Sequence, residues 1–106
     1  MIAWDEIAEV GRDIGLVAHA ERVILFGSHA RGQAGEDSDL DILVVAESEQ
    51  PRHKRSRELY RHIRPRHFAL DILVFTPAEV ARAMRTDVSF ISQAMNEGKT
   101  LYVRGN

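Results

Sequence analysis

Three aspartates stand in segments whose other residues suit buried β-strands, and they restrict what this chain can become. Asp39 and Asp41 occupy alternate positions at the head of an apolar run over residues 40–46, and Asp71 lies within FALDILVF, residues 68–75. Alternate residues of a strand share a face, so Asp39 and Asp41 point the same way. Their Cα atoms are then roughly 6.6–7 Å apart, near enough to hold one ion or a pair of ions. A lone ionised carboxylate is costly to bury, so Asp71 needs a cation, a hydrogen-bond network or a place at an open sheet end. Taken singly, Asp39 reads as a turn or cap, whereas for Asp71 a paired structural acid is the lesser reading, because a strand interior disfavours aspartate. Taken together, the three read as a site.

The remaining segments alternate between helix and strand. Ile7, Val10, Ile14 and Val17 recur at helical spacing behind Asp5 and Glu6, which suit the positive end of a helix dipole. Val23-Ile24-Leu25-Phe26, closed by Gly27, reads as a buried strand. Residues 28–31 suit a short helix capped by Ser28, and residues 40–46 a strand covered on both faces. Residues 51–63 predict a basic helix ended by Pro65, and residues 68–75 a third strand. Thr76-Pro77-Ala78-Glu79 is a capping box that opens a helix; another covers residues 89–96 up to Gly98, and residues 100–103 close as a strand. With no repeat, linker or low-complexity tract, residues 1–106 predict one α/β domain, a mixed central sheet of about four strands flanked by helices.

Composition removes several classes of function. No cysteine is present, which excludes disulfides, zinc–thiolate sites, iron–sulfur clusters and thiol catalysis, and which fits a cytoplasmic address. The longest apolar stretch, Ile42 to Ala46, is far short of the roughly 20 residues of a membrane span, so no membrane partner is expected.

Gly27-Ser28 closes one strand and opens a helix. Such a turn presents free main-chain N–H groups, which is where phosphate binds; glycine admits a close approach and the Ser28 hydroxyl adds a donor. Arg31 reaches either the phosphates or the acids Glu36 and Asp37, and His29 is expected to be exposed. Ten residues separate Ser28 from Asp39-Leu40-Asp41. That spacing, in VILFGSHARGQAGEDSDLDILVV, resembles the nucleotidyltransferases related to DNA polymerase β, and in particular the minimal nucleotidyltransferases found beside HEPN proteins. The resemblance implies that Asp39, Asp41 and Asp71 bind divalent metal and that Gly27 and Ser28 contact a triphosphate. Three oxygen-donor acids suit Mg²⁺, as two ions, or Mn²⁺, and Asp71 is the candidate general base.

Function follows as an expectation from the same resemblance: an antitoxin that moves AMP from ATP onto a hydroxyl, tyrosine foremost, of a HEPN toxin. Two alternatives stand beside it. One is an antitoxin acting by binding alone; the other is a nucleotidyltransferase of a small hydroxylated molecule, which a chain too short for a deep pocket disfavours. Residues 51–67, PRHKRSRELYRHIRPRH, hold seven of the 14 Lys and Arg but one of the 16 acids, Glu58, so this segment carries +6 and the rest −8. The cations Arg52, Lys54, Arg55, Arg57, Arg61, Arg64 and Arg66 are expected to meet the partner or a nucleic acid, with Leu59 and Ile63 turned to the core. A solvated helix is the plainer reading of the same residues. Trp4, Tyr60 and Tyr102 are expected to pack in the core or an interface.

Overall fold

Apolar runs too short for anything but strands, each followed by a helix signal, assemble here into one mixed sheet between two helical layers. The computed structural model describes residues 2–35, 39–86 and 89–105. Along these residues run α1 (Trp4–Ala18), β1 (Arg22–Phe26), α2 (Gly27–Ala30), β2 (Leu40–Val45) and α3 (Arg52–His62). They continue as β3 (Leu70–Phe75), α4 (Pro77–Met84), α5 (Phe90–Glu97) and β4 (Lys99–Val103). The strand order is β3-β2-β1-β4. β2 and β3 are parallel, and β1 is antiparallel to both β2 and β4. Among the described residues no helix is long and apolar enough to cross a membrane.

The period-two alternation of the strands sorts their side chains between two cores. Val23, Leu25, Ile42, Val44, Ile72 and Val74 meet Ile7, Val10 and Ile14 of α1, with Leu59 and Ile63, on one face. Ile24, Leu43, Val45 and Phe75 meet Val80 of α4 and Ile91 and Ala94 of α5 on the other. Each fully buried Leu or Ile contributes on the order of 1.5–3 kcal/mol, so the central pair β1 and β2 anchors the fold.

Several expectations are corrected. Val17 is exposed; the row that α1 buries is Ile7, Val10, Gly11, Ile14 and Gly15. A Cβ on Gly15 would collide with the Tyr102 ring, and one on Gly11 with the Leu101 side chain, so the glycines let α1 lie close against β4. Phe26, not Ser28, is the N-cap of α2, because the helix starts directly where β1 stops. β3 begins at Leu70, two residues later than expected. Of the three aromatics Tyr102 alone packs against the core; Trp4 and Tyr60 are exposed, which leaves only the interface half of their expectation.

The capping box forms as expected: Glu79 N donates to Thr76 Oγ1 at 3.2 Å and Thr76 N to Glu79 Oε1 at 2.8 Å. Its glutamate does a second job that local sequence does not announce. Arg55 of α3 donates to Glu79 Oε1 at 2.6 Å, to Val74 O at 3.2 Å and to Gln50 O at 2.9 Å, tying α3, β3 and α4 together. The Arg55 guanidinium, with help from Thr76, holds the Glu79 carboxyl down at about 2.

Two outcomes follow for stability. Gly15→Val should cost about 1–3 kcal/mol by forcing α1 off Tyr102, seen as a lower urea midpoint; a neutral result would mean that helix and strand separate freely. Glu79→Gln should lower Tm by about 5–10 °C near neutral pH. A depressed folded-state pKa stabilises above the ordinary 4.5 and loses that stabilisation as pH falls toward about 2. The gap between wild type and variant should therefore close across that interval, and a constant gap would contradict the ion pair.

Candidate functional site

Strand register assembles the site. Phe26 at the end of β1 pairs with Asp41, and Asp41 pairs with Asp71 across the parallel β2–β3 ladder. Gly27, Asp41 and Asp71 thus fall in a row over three adjacent strands, with neighbouring strands about 4.8 Å apart. Leu43, Val45 and Phe75 point toward α4 and α5, so alternation turns Asp41 and Asp71 to that same face. Those helices do not cover the row: Asp41 is half-buried, while Asp39 and Asp71 are exposed. Of the three ways of accommodating Asp71, the open position is realised, since β3 is an edge strand. Asp39 stands one residue before β2, next to Leu40, whose side chain is fully buried.

The acids feel one another. Burial, then the charges of Asp71 and Asp39, push the Asp41 carboxyl above its ordinary range, and His29 and Arg31 pull against them. A Cβ on Gly27, which has φ +76°, would fall on Asp41 Oδ2. Gly27 is therefore needed for a reason other than the expected phosphate approach: it leaves room for the central carboxylate against the turn. A carboxylate packed on an anion-binding turn is poorly compatible with a phosphate there unless a cation lies between them. Among the described residues no three His, Asp or Glu side chains are already gathered into a ligand cluster. The three aspartates nevertheless fit a hard divalent cation by donor type, and their mutual repulsion is what such a cation would relieve.

Around this row the expected phosphate contacts share one turn. Ser28 and His29 lie in the first residues of α2, both half-buried, which corrects the expectation that His29 is exposed. Arg31 Nε donates to Gln33 Oε1 at 3.2 Å; its anticipated acid partners Glu36 and Asp37 lie outside the described residues. A cleft of about 260 Å³ opens beside Gly27 between Phe26, Arg31, Phe90 and Gln93. Phe90 escaped the sequence reading because a lone aromatic at the start of a helix reads as core.

The basic segment is not the uniform cationic face that its composition suggests. Arg55 is bound to Glu79, Arg66 to Glu9 and Asp13, Arg64 to Glu9, and Arg61 to Glu58. The Arg66 guanidinium draws the Glu9 carboxyl below its usual range, and His67 does the same to Glu6. Leu59 and Ile63 are buried as expected, although α3 stops at His62. Tyr60 Oη accepts from Ile72 N at 2.9 Å and donates to Leu70 O at 3.1 Å, gripping the β3 main chain on both sides of Asp71.

Comparison with known proteins agrees with this geometry. Residues 7–104 match the family model described as a nucleotidyltransferase domain. A protein of Methanocaldococcus jannaschii, named "putative protein adenylyltransferase", is 34% identical over 94 residues, covering 87% of this chain and 91% of its own. The crystal structure of a "putative nucleotidyltransferase" from Sulfolobus solfataricus aligns with a TM-score of 0.55 at 30% identity, over 72% of this chain and 68% of that one. A structure described as a toxin-antitoxin with AMP-PNP shares the fold with a TM-score of 0.56 at 20% identity, over 98% of this chain and 76% of that one. With its four-stranded mixed sheet and its carboxylates beside a Gly-Ser turn, the chain belongs to the nucleotidyltransferase domain family.

Proposed function

We propose that residues 1–106 form a minimal nucleotidyltransferase that moves AMP from ATP onto a tyrosine hydroxyl of a HEPN-family toxin in the cytoplasm, and so neutralises it. The observation that carries this reading is the in-register pair Asp41 and Asp71 beside the Gly27 turn. The relative named as a protein adenylyltransferase supports protein as the acceptor, and the toxin-antitoxin structure with AMP-PNP supports a toxin partner and an adenine nucleotide.

Each residue has a task. Gly27 and Ser28 bind the β- and γ-phosphates through main-chain N–H groups and the Ser28 hydroxyl, and Arg31 adds a guanidinium. Asp39, Asp41 and Asp71 hold Mg²⁺, with Mn²⁺ as a substitute. Bound there, the metal supplies charge neutralisation at the α-phosphate and at the leaving oxygen. The acceptor oxygen forms a bond to the α-phosphorus while the bond from that phosphorus to the bridging oxygen breaks. Pyrophosphate leaves with the electron pair, and the acceptor proton passes to the Asp71 carboxylate. Exposure of Asp71 on the edge strand leaves it open to a macromolecular hydroxyl.

Calorimetry with ATP and Mg²⁺ should show affinity falling about tenfold or more in Asp41→Asn, and equal binding would remove Asp41 from the site. Asp71→Asn should cut transfer of α-labelled phosphate to the co-purified toxin about 100-fold or more, with ATP affinity kept within about threefold. A toxin that Asp71→Asn neutralises as well as wild type does would favour inhibition by binding alone.

A further inference from the structure

We infer that the groove between α3 and the open edge of β3 is where the acceptor protein docks, and that the docking segment is acidic. The inference deepens the transferase reading and rests on it. The groove encloses about 640 Å³ and is lined by Arg52, His53, Ser56 and Tyr60 of α3 together with Asp71 and the β3 residues that follow. It therefore contains the one carboxylate of the row that lies on the sheet edge.

Direction of attack selects this groove. In-line displacement requires the entering hydroxyl and the departing pyrophosphate to lie on opposite sides of the phosphorus. The phosphate-ready turn, Gly27-Ser28, is at the β1 end of the row; Asp71 is two strands away, about 10 Å across the sheet. A hydroxyl entering opposite the turn thus comes over the β3 edge, past Tyr60 and Ser56. On this route the acceptor is delivered to Asp71 without crossing the nucleotide.

Charge identifies the visitor. Asp71 is the single acid of the lining. Arg52 is held 5.0 Å from the centre of the Phe75 ring, with no acid partner among the described residues. Arg57, one turn beyond His53, forms no ion pair among the described residues and is exposed. Nucleic acid fits less well, because Arg61, Arg64 and Arg66, which would continue the row along a phosphate backbone, are already paired. Strand addition is also disfavoured. Tyr60 Oη occupies Leu70 O and Ile72 N, and Arg55 occupies Val74 O, so an added strand would have to displace both side chains. The partner is therefore held by side chains: carboxylates on Arg52, His53 and Arg57, with the reacting hydroxyl turned inward.

The test uses the whole chain with ATP and Mg²⁺, a fluorescent poly(Glu,Tyr) copolymer as the acidic hydroxyl-bearing probe, and an oligothymidylate as the competing polyanion. His53→Glu/Arg57→Glu reverses the rim, Ser56→Trp plugs the groove without changing charge, and Arg82→Glu/Arg85→Glu reverses two exposed cations elsewhere. Calorimetry with ATP checks that each variant keeps its nucleotide site. The first two variants should weaken copolymer binding about tenfold or more, the rim variant's deficit shrinking at high salt and the neutral plug's persisting, and the third should stay within about twofold of wild type. Wild type should also prefer the copolymer to the oligothymidylate. Copolymer binding that is absent in wild type, unchanged in the rim and plug variants, or weaker than oligothymidylate binding overturns the inference. Groove-dependent copolymer binding with no transfer of label would uphold the docking surface and count against the transferase reading.

Discussion

The parallel ladder between β2 and β3 is the constraint on which the site depends, because it sets Asp41 opposite Asp71. Like charges on neighbouring strands repel, and nothing local favours placing them there. The pairs that follow impose it: Ile42 with Ile72, Leu43 with Leu73, Val44 with Val74 and Val45 with Phe75. A slip of one residue would turn each of these apolar side chains to the wrong core, so the hydrophobic register is far stronger than the repulsion at its end. Burial first, and then the charges of Asp71 and Asp39, raise the Asp41 carboxyl above its ordinary range, so the conflict is part of the cause. A cation bound there would convert the same conflict into affinity.

The chain's second electrostatic feature resolves mostly inward. Arg66 clamps Glu9 and Asp13 of α1, and Arg55 clamps Glu79 of α4, both with nearly buried guanidinium side chains. Much of the imbalance between residues 51–67 and the rest of the chain is thereby matched across tertiary contacts. Of the cations left over, Arg52 lines the groove beside the β3 edge together with Asp71. A segment whose composition suggests one large patch is thus a set of internal ties with a small residual rim.

Elements whose signal is local were legible in the sequence. The strands show as short β-branched runs, and the Thr76 cap forms where its chemistry requires. Asp41 and Asp71 stand out because each interrupts an apolar strand, and Asp39 because it alternates with Asp41. Features that depend on strand order were not legible. That β3 lies at an edge, leaving Asp71 open, follows from packing of the whole sheet and not from FALDILVF. The buried row of α1 was misread at Val17 because Gly11 and Gly15, which face β4, carry no apolar signature. Partners of the basic residues were hidden for a similar reason: Glu9 and Arg66 are joined only by the fold. The sequence marks Gly27 for phosphate approach, whereas its packing against Asp41 arises only from the fold.

The central claim is that metal and nucleotide meet where the Gly27 turn faces the aspartate row. Amide NMR of the labelled chain, titrated with AMP-PNP and a trace of Mn²⁺, tests it most directly, because paramagnetic broadening reports distance from the ion without requiring turnover. Broadening centred on residues 27–28, 39–41 and 71, weakening outward and abolished in Asp41→Asn, is the result this account predicts. Broadening centred on α3 or β4, or unchanged in that variant, would contradict it.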